Sequence, residues 1–288
     1  MDNLSTAQLG YLVAITRHRT WAEAAASLGV TPSALSQGIA ELERRLGVPL
    51  FAAEGRRRVA HEHTAIVAEC AERVLADLDQ VTRWLRAVGA GQVGRLRVGM
   101  IDIAAVHHCR DAVRRFRLAH PQLEVGFTVA PTGALLDRLE RSELDVAVCV
   151  DPEGIGPFDT TPLLRDDLAV YAPPGVAAGV PPAQWGPWLL FPPNSRTRTA
   201  IDRRLREIGA PVVVEMESHQ PEVLVEMVRL GLGWTVLPTT QAEHGAHRLA
   251  RAMDEPLLSR TISAVTRRGG AIHPAVAPFV AALLVSAG

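Results

Sequence analysis

The sequence predicts an α/β protein that opens with a separate all-α unit, and three observations carry that prediction. Within the first sixty residues lie short helices with matched caps and turn signals; residues 61–90 form one long helix with an apolar seam; and from Arg95 short apolar strands alternate with helices. Such alternation builds a parallel sheet with helices packed on its faces.

The opening unit follows from local signals. An apolar-periodic helix runs from Leu4 to Arg17. Thr20 and Glu23 have the spacing of a capping box for the short helix TWAEAAASL, and Gly29 can turn the chain at its end. Thr31 stands as the N-cap of the next helix, with Pro32 at the first helical position, where its missing N–H costs nothing. Leu35, Ile39, Leu42 and Leu46 then form an apolar stripe, leaving Ser33, Ser36, Gln37 and Ala40 on the opposite or flanking face. Two helices joined by such a turn make a helix-turn-helix. Small polar groups at the start of its second helix suit the major groove of double-stranded DNA. The tip GRRR then adds Arg56, Arg57 and Arg58, suited to backbone phosphate or the minor groove.

Between His61 and Ala90, Val67, Ala71, Val74, Leu78, Val81, Leu85 and Val88 recur at alternating steps of four and three. That is the seam of a helix pairing with another, roughly 45 Å long at 1.5 Å per residue. The same pattern would serve a core helix of a single domain. Its place between two recognisable units, ending at the segment GAGQVG (Gly89 to Gly94), favours pairing between subunits.

From Arg95 the order LRVGM, VHHCRDAVRRFRLAH, LEVGFTV, LLDRLERSE, LDVAVCV reads as βαβαβ. A second set follows in LAVYAP, WLLFP, TAIDRRLREIG, VVVEME, PEVLVEMVRLG and GWTVLP, and two similar halves imply two lobes with a cleft between them.

The run AEAAASLGVTPSALSQGIAELERRLGVPLF closely resembles the N-terminal domain of LysR-type transcriptional regulators, and chain length and downstream pattern are similar to that family as well. The resemblance implies a winged helix-turn-helix over residues 1–60, a dimerising linker helix and hinge over 61–94, and a two-lobed, periplasmic-binding-protein-like effector domain over 95–288. On the family's pattern the first lobe takes about 95–162 and 264–288, the second about 163–263, with ISAVTRRGG and PAVAPFVAALLVS returning to the first as a strand and a closing helix. It also implies a homodimer through the linker helix, tetramers being common in the family, and contact with RNA polymerase if the regulator is an activator. Two departures stand out. Gly38 occupies a position where a long polar side chain is common, and the Leu-Thr-x-x-Gly usual after the wing is absent from RRRVAHEHTAIVA.

Ligands of open α/β sheets collect beyond the carboxyl ends of strands, often against helix N-termini. That rule selects Met100, Ile101 and Asp102 after the first strand of the effector domain, Thr132 and Gly133 after the second, Asn194, Ser195, Arg196 and Thr197 before a helix expected near Ala200, and Ser218 and His219 after VVVEME. Arg198 could add a charge, although these polar groups could equally cap the helix. Many relatives place Ser or Thr where this chain has Ile101 to Ala104. An anionic effector would be repelled by Asp102, so the effector is either more apolar or carries a donor that Asp102 accepts.

Composition narrows the alternatives. The net charge is −1, yet the first sixty residues carry +2 and the remainder −3, so basicity is concentrated at the DNA-reading end. All 30 basic residues are arginine, as a GC-rich coding preference would give; a phosphate-loop, Schiff-base or kinase lysine is thereby excluded. Neither nucleophile elbow nor dinucleotide fingerprint supports an enzyme, and the N-terminus does not read as the signal peptide of a periplasmic solute-binding protein. Without a run of about eighteen apolar residues to span a membrane, a cytoplasmic protein is expected. Cys70, Cys109 and Cys149 are too scattered for a disulfide framework or closed zinc site. Cys109 or Cys149 could serve a redox-sensing regulator, but Cys149 closes an apolar strand and reads more simply as an inert core thiol. The consecutive His107, His108 and Cys109 diverge by about 100° each on a helix and cannot converge on one ion unaided. His61-Glu62-His63 lacks the one-turn spacing of a zinc-protease pair. No cofactor beyond a small-molecule effector is expected.

Overall fold

Helix caps organise the N-terminal part of the computed structural model, which describes residues 4–54, 57–89, 94–150, 152, 156–177, 179–243, 248–269 and 273–285. Its contacts divide the chain into two units, Met1–Ala90 and Gly91–Gly288. Helix α1 (Thr6–Arg17) carries a capping box between Ser5 and Gln8. Helix α2 (Trp21–Ser27) starts at Thr20, whose Oγ1 accepts the Glu23 N–H at 3.2 Å. The reciprocal half of the expected box is corrected by one residue: the Glu23 carboxylate accepts the N–H of Arg19 at 3.1 Å, because the extended backbone at Thr20 turns the preceding amide back towards the first turn. Gly29, at φ +65°, closes the helix in the left-handed conformation that its missing Cβ permits.

Helix α3 (Pro32–Leu46) has the expected N-cap, Thr31 Oγ1 accepting the Ala34 N–H at 3.1 Å, with Pro32 in the first turn. Leu35, Ile39 and Leu42 are fully buried, in one core with Leu12, Ala24, Ala25 and Leu50. Strands β1 (Phe51–Glu54) and β2 (Arg57–Ala60) pair antiparallel from Phe51↔Ala60 to Glu54↔Arg57, forming the wing. Glu43 Oε1 ties α3 to the wing by accepting the N–H groups of Leu50 and Phe51 at 2.8 and 3.0 Å. Helix α4 (Thr64–Gly89) adds Ala68 and Ala71 to the same core. Beyond Ala71 its seam is open: Val74, Leu78, Val81 and Leu85 are all exposed. Residues 90–93 of the expected hinge lie outside the described residues.

In the C-terminal unit, β3 (Arg95–Met100) pairs parallel with β4 (Glu124–Val129) and β5 (Val146–Val150). Helices α5 (Arg110–Ala119), α6 (Thr132–Glu140) and α10 (Val276–Leu284) contribute Phe116, Leu135, Leu139 and Phe279 to the first lobe's core. The Phe116 and Phe279 rings meet edge to face at 5.0 Å. In the second lobe β7 (Trp188–Leu190) pairs parallel with β8 (Val214–Glu217) and β9 (Trp234–Pro238). Around these stand α7 (Arg196–Glu207), α8 (Pro221–Arg229) and α9 (Thr239–Ala242), over a core centred on Trp185, Trp188 and Trp234.

Two long strands join the lobes. β6 (Phe158–Ala172) and β11 (Leu258–Arg267) run antiparallel; Leu163 and Ile262 belong to the first core, whereas Leu168 belongs to the second and Leu258 packs against it. A bulge between Ile262 and Ser263 absorbs the extra residue at Leu163, next to Pro162. β11 also pairs with β5, β6 with β9, and the short β10 (Ala250–Arg251) with β6. Three expectations are corrected here. β6 begins ten residues before LAVYAP. The single helix expected over VHHCRDAVRRFRLAH is interrupted by a π-turn, Ala104–His108, in which the Cys109 N–H reaches the Ala104 carbonyl at 2.8 Å. And α7 starts at Arg196 rather than near Ala200, because Ser195 occupies its N-cap.

Gly38 is explained by a close approach. A Cβ built there would lie 2.4 Å from Cδ2 of Tyr11 on α1. At an open helical site Gly→Ala gains about 1 kcal/mol. Gly38→Ala is therefore expected to lower the unfolding free energy instead, and the same substitution in a Tyr11→Ala background to raise it. Urea denaturation of the four proteins measures both effects; equal gains in the two backgrounds would show that the ring does not limit this position.

Candidate functional site

At the start of α3, Thr31, Pro32, Ser33 and Gln37 are exposed, and Ser36 is half-buried. Ser36 owes its burial to the wing: Arg58 Nη2 donates to Ser36 Oγ at 3.1 Å, and the Arg58 guanidinium carbon lies 4.6 Å from the centre of the Trp21 ring. Trp21 in turn rests edge-on against Phe51 of β1 at 5.1 Å. This aromatic platform was not anticipated, although a tryptophan opening the first helix of a helix-turn-helix was its only sequence signal. Arg57 stands opposite Glu54 at the end of the hairpin, and Arg56 lies outside the described residues. At the other end of α3, Arg44 and Arg45 converge on Glu41 and pull its carboxyl down to about 2.

The strand ends of the C-terminal unit divide the expected effector residues into two sets. Met100 is only 2 % exposed, in the first lobe's core, so its side chain is withdrawn from any ligand. Thr197 is likewise withdrawn: inside the first turn of α7, its hydroxyl accepts Arg260 Nη1 at 2.6 Å. Arg198 is buried too, its guanidinium donating to the Phe191 carbonyl, Asp202 and Glu217. Asn194, Gly133 and His219 remain exposed and Thr132, Ser195 and Arg196 half-buried, while Ile101 is buried at the lip of the core. No helix N–H is bonded by the Ser195 hydroxyl at its N-cap. Ser218 Oγ accepts the Gln220 N–H at 3.0 Å in a local turn.

Asp102 meets two groups that the sequence did not single out, Glu222 and Gln241. Burial raises its carboxyl above the usual range and the charge of Glu222, in the first turn of α8, adds to this; the Gln241 amide of α9 and His107 pull the other way. Gln241 Nε2 also donates to Glu222 Oε1 at 2.7 Å. The end of the first lobe's β3 is thus brought to two elements of the second.

Where β6 and β11 cross between lobes, Asp166 and Arg260 stand directly opposite in register. Asp166 Oδ2 accepts Arg260 Nε at 2.8 Å and Nη2 at 2.7 Å, and His108 Nε2 of the π-turn lies 3.5 Å from Oδ1. Burial alone would raise the Asp166 carboxyl, but the contacts with His108 and Arg260 overcome it and hold it below the usual range. His108, one of the three consecutive residues judged unable to converge on an ion, is taken up in this cluster; among the described residues no group of three His, Cys, Asp or Glu side chains is arranged to hold a metal ion. Next to it, burial pushes the Cys109 thiol up to about 11, and Cys149 is fully buried, so neither is set as a reactive thiolate.

Because its carboxyl is depressed, Asp166 contributes stability that is complete above the ordinary carboxylate range, about 4, and is lost as pH falls through its lower native value. Asp166→Asn should destabilise the C-terminal unit by on the order of 3 kcal/mol at pH 7. Its difference from the unmodified protein should shrink below about pH 4. Denaturant melts across pH 3 to 8 measure this; a difference independent of pH would show that the ion pair contributes nothing.

Two family models match the chain: "Bacterial regulatory helix-turn-helix protein, lysR family" over residues 6–64 and "LysR substrate binding domain" over 89–287. Among curated relatives, the HTH-type transcriptional regulator XapR of Escherichia coli (strain K12) is 26 % identical over 261 residues, covering 82 % of each chain. A probable hydrogen peroxide-inducible genes activator of Streptomyces viridosporus is 28 % identical over 279 residues, covering 93 % of this chain and 89 % of its own. The fold is shared with full-length CbnR complexed with its target DNA, at a TM-score of 0.67 and 20 % identity, covering 98 % of this chain and all of that one.

Proposed function

Because the chain belongs to the LysR family of transcriptional regulators, with a helix-turn-helix and an effector-binding domain, we propose that α3 and the wing read an operator and that a small molecule bound between the lobes controls them. Thr31, Pro32, Ser33, Ser36 and Gln37 meet base edges, and Arg56, Arg57 and Arg58 meet phosphate or the minor groove. The observation that carries this reading is the exposed, proline-started first turn of α3, with Arg58 of the wing reaching Ser36 beside it. The effector lies against Ile101, Asp102, Thr132, Gly133, Asn194, Ser195, Arg196, Ser218 and His219. To act as a switch it must bind one lobe arrangement better than another, since equal affinity shifts nothing. The relatives' activities and the absence of any catalytic motif favour a regulator over an enzyme, working in the cytoplasm where its DNA is. RNA polymerase is a further partner if it activates. Among the described residues no helix is long and apolar enough to cross a membrane. The redox alternative is set aside by the burial of Cys109 and Cys149.

DNA binding is tested by fluorescence anisotropy over a salt series. Gln37→Ala should weaken operator binding by about 1–3 kcal/mol at particular base pairs only, whereas Arg57→Ala should weaken all sequences alike and reduce the salt slope by about 1. Equal loss on operator and random DNA for Gln37→Ala would refute the assignment of that side chain.

The exposed seam of α4 supports a homodimer through this helix, on which a tetramer could be built. Val74, Leu78, Val81 and Leu85 repeat at steps of four and three on its surface. Leu78→Glu would bury an unpaired charge between paired helices, so the variant should dissociate and lose operator binding together. A Leu78→Glu protein that sediments as a dimer excludes this interface.

A further inference from the structure

We infer that the effector carries a protonated nitrogen, an amine, amidine or guanidine, held between Asp102 of the first lobe and Glu222 and Gln241 of the second. This rests on the cleft being the effector site and names the ligand class it accepts.

The argument is one of unmatched acceptors. Asp102 Oδ2 and Gln241 Oε1 are buried with no hydrogen-bond partner, and so is Oγ1 of Thr240, the residue before Gln241 on α9. Gln241 Nε2 donates to Glu222 Oε1 at 2.7 Å, and the same amide acts on the Asp102 carboxyl, so its donors are directed to the two carboxylates while its own oxygen is left over. Two carboxylates and an amide oxygen therefore share one partly buried locus. The positive influence of His107 on Asp102 is weaker than the opposing effects of burial and Glu222.

Each ligand class meets this locus differently. An apolar ligand would seal the acceptors from water and leave them unpaired. An anion would add a third negative charge beside two carboxylates. A nitrogen cation brings N–H donors to the orphaned oxygens and removes the repulsion between Asp102 and Glu222 in one step. Because Asp102 and the Glu222–Gln241 pair come from different lobes, such a ligand bridges them and favours the arrangement in which they are close. That differential affinity is what a switch requires.

Thermal-shift measurements on the full-length protein test this with probes matched in shape and differing in charge: 1,4-diaminobutane, 1,4-butanediol and succinate as one set, benzamidine, benzamide and benzoate as the other. At least one cation should raise the melting temperature, with its affinity reduced about tenfold or more by both Asp102→Asn and Glu222→Gln, while the neutral and anionic probes have no effect. Both substitutions keep side-chain shape, and circular dichroism verifies their folding. If neither cation binds, or a cation binds equally well to both variants, the inference is overturned. A carboxylate whose binding is lost in Ser195→Ala but kept in Asp102→Asn would retain the cleft and overturn the cationic class. A probe of any charge insensitive to all three substitutions would overturn the cleft reading itself.

Discussion

The buried pair between Asp166 and Arg260 is the constraint on which the C-terminal unit depends. Among the described residues, only β6 and β11 supply side chains to both cores, and where they pass from one core to the other this pair is directly cross-strand. A slip of one residue between two strands would send every alternating side chain to the opposite face. In this crossing a slip would also leave a carboxylate and a guanidinium buried apart, which is far more unfavourable than a lost apolar contact. The pair thus acts less as a source of stability than as a register pin.

What the pin holds is visible in its other contacts. Arg260 extends to Thr197 in the first turn of α7, and Asp166 faces His108 in the π-turn that precedes α5. The π-turn matters because its Cys109-to-Ala104 bond inserts one extra residue into the helical path. The helix that follows the first lobe's β3 and the helix that follows the second lobe's β7 are therefore both fixed to one crossing point. Asp102 lies two residues ahead of the π-turn and Ser195 immediately ahead of α7, so the segments that carry both expected effector residues are tied to this one cluster.

Legibility in the sequence follows the range of the interaction. The caps at Thr20 and Thr31, the turn at Gly29 and the stripe Leu35, Ile39, Leu42 are fixed by neighbours within a few residues, and each was readable. Strand β6 was readable only in its apolar half, because Pro162 and the run Arg165, Asp166, Asp167 carry none of the usual strand signal; their partners are about a hundred residues away on β11. Gly38 could be seen as unusual, but its reason is the Tyr11 ring on another helix. In the cleft, Asp102 was selected from its place after a strand. Glu222 and Gln241 became relevant only once the fold brought α8 and α9 to it, and Met100 and Thr197 dropped out because strand and helix phase turn their side chains inward.

The wing shows the same economy at the DNA-reading end. An arginine on a two-stranded hairpin has several rotatable bonds, and ordering it on a phosphate loses their freedom. Arg58 is already ordered, stacked on Trp21 and bonded to Ser36. At an exposed site the stacking contributes about 0.5–1 kcal/mol, comparable to the entropy it offsets. Stacking on the ring still leaves guanidinium N–H groups for an acceptor beyond Ser36, so a phosphate oxygen could be added without dismantling the platform. Trp21 therefore links the two halves of the winged helix-turn-helix: its ring packs against Phe51 of the wing and supports the Arg58 side chain that reaches back to α3.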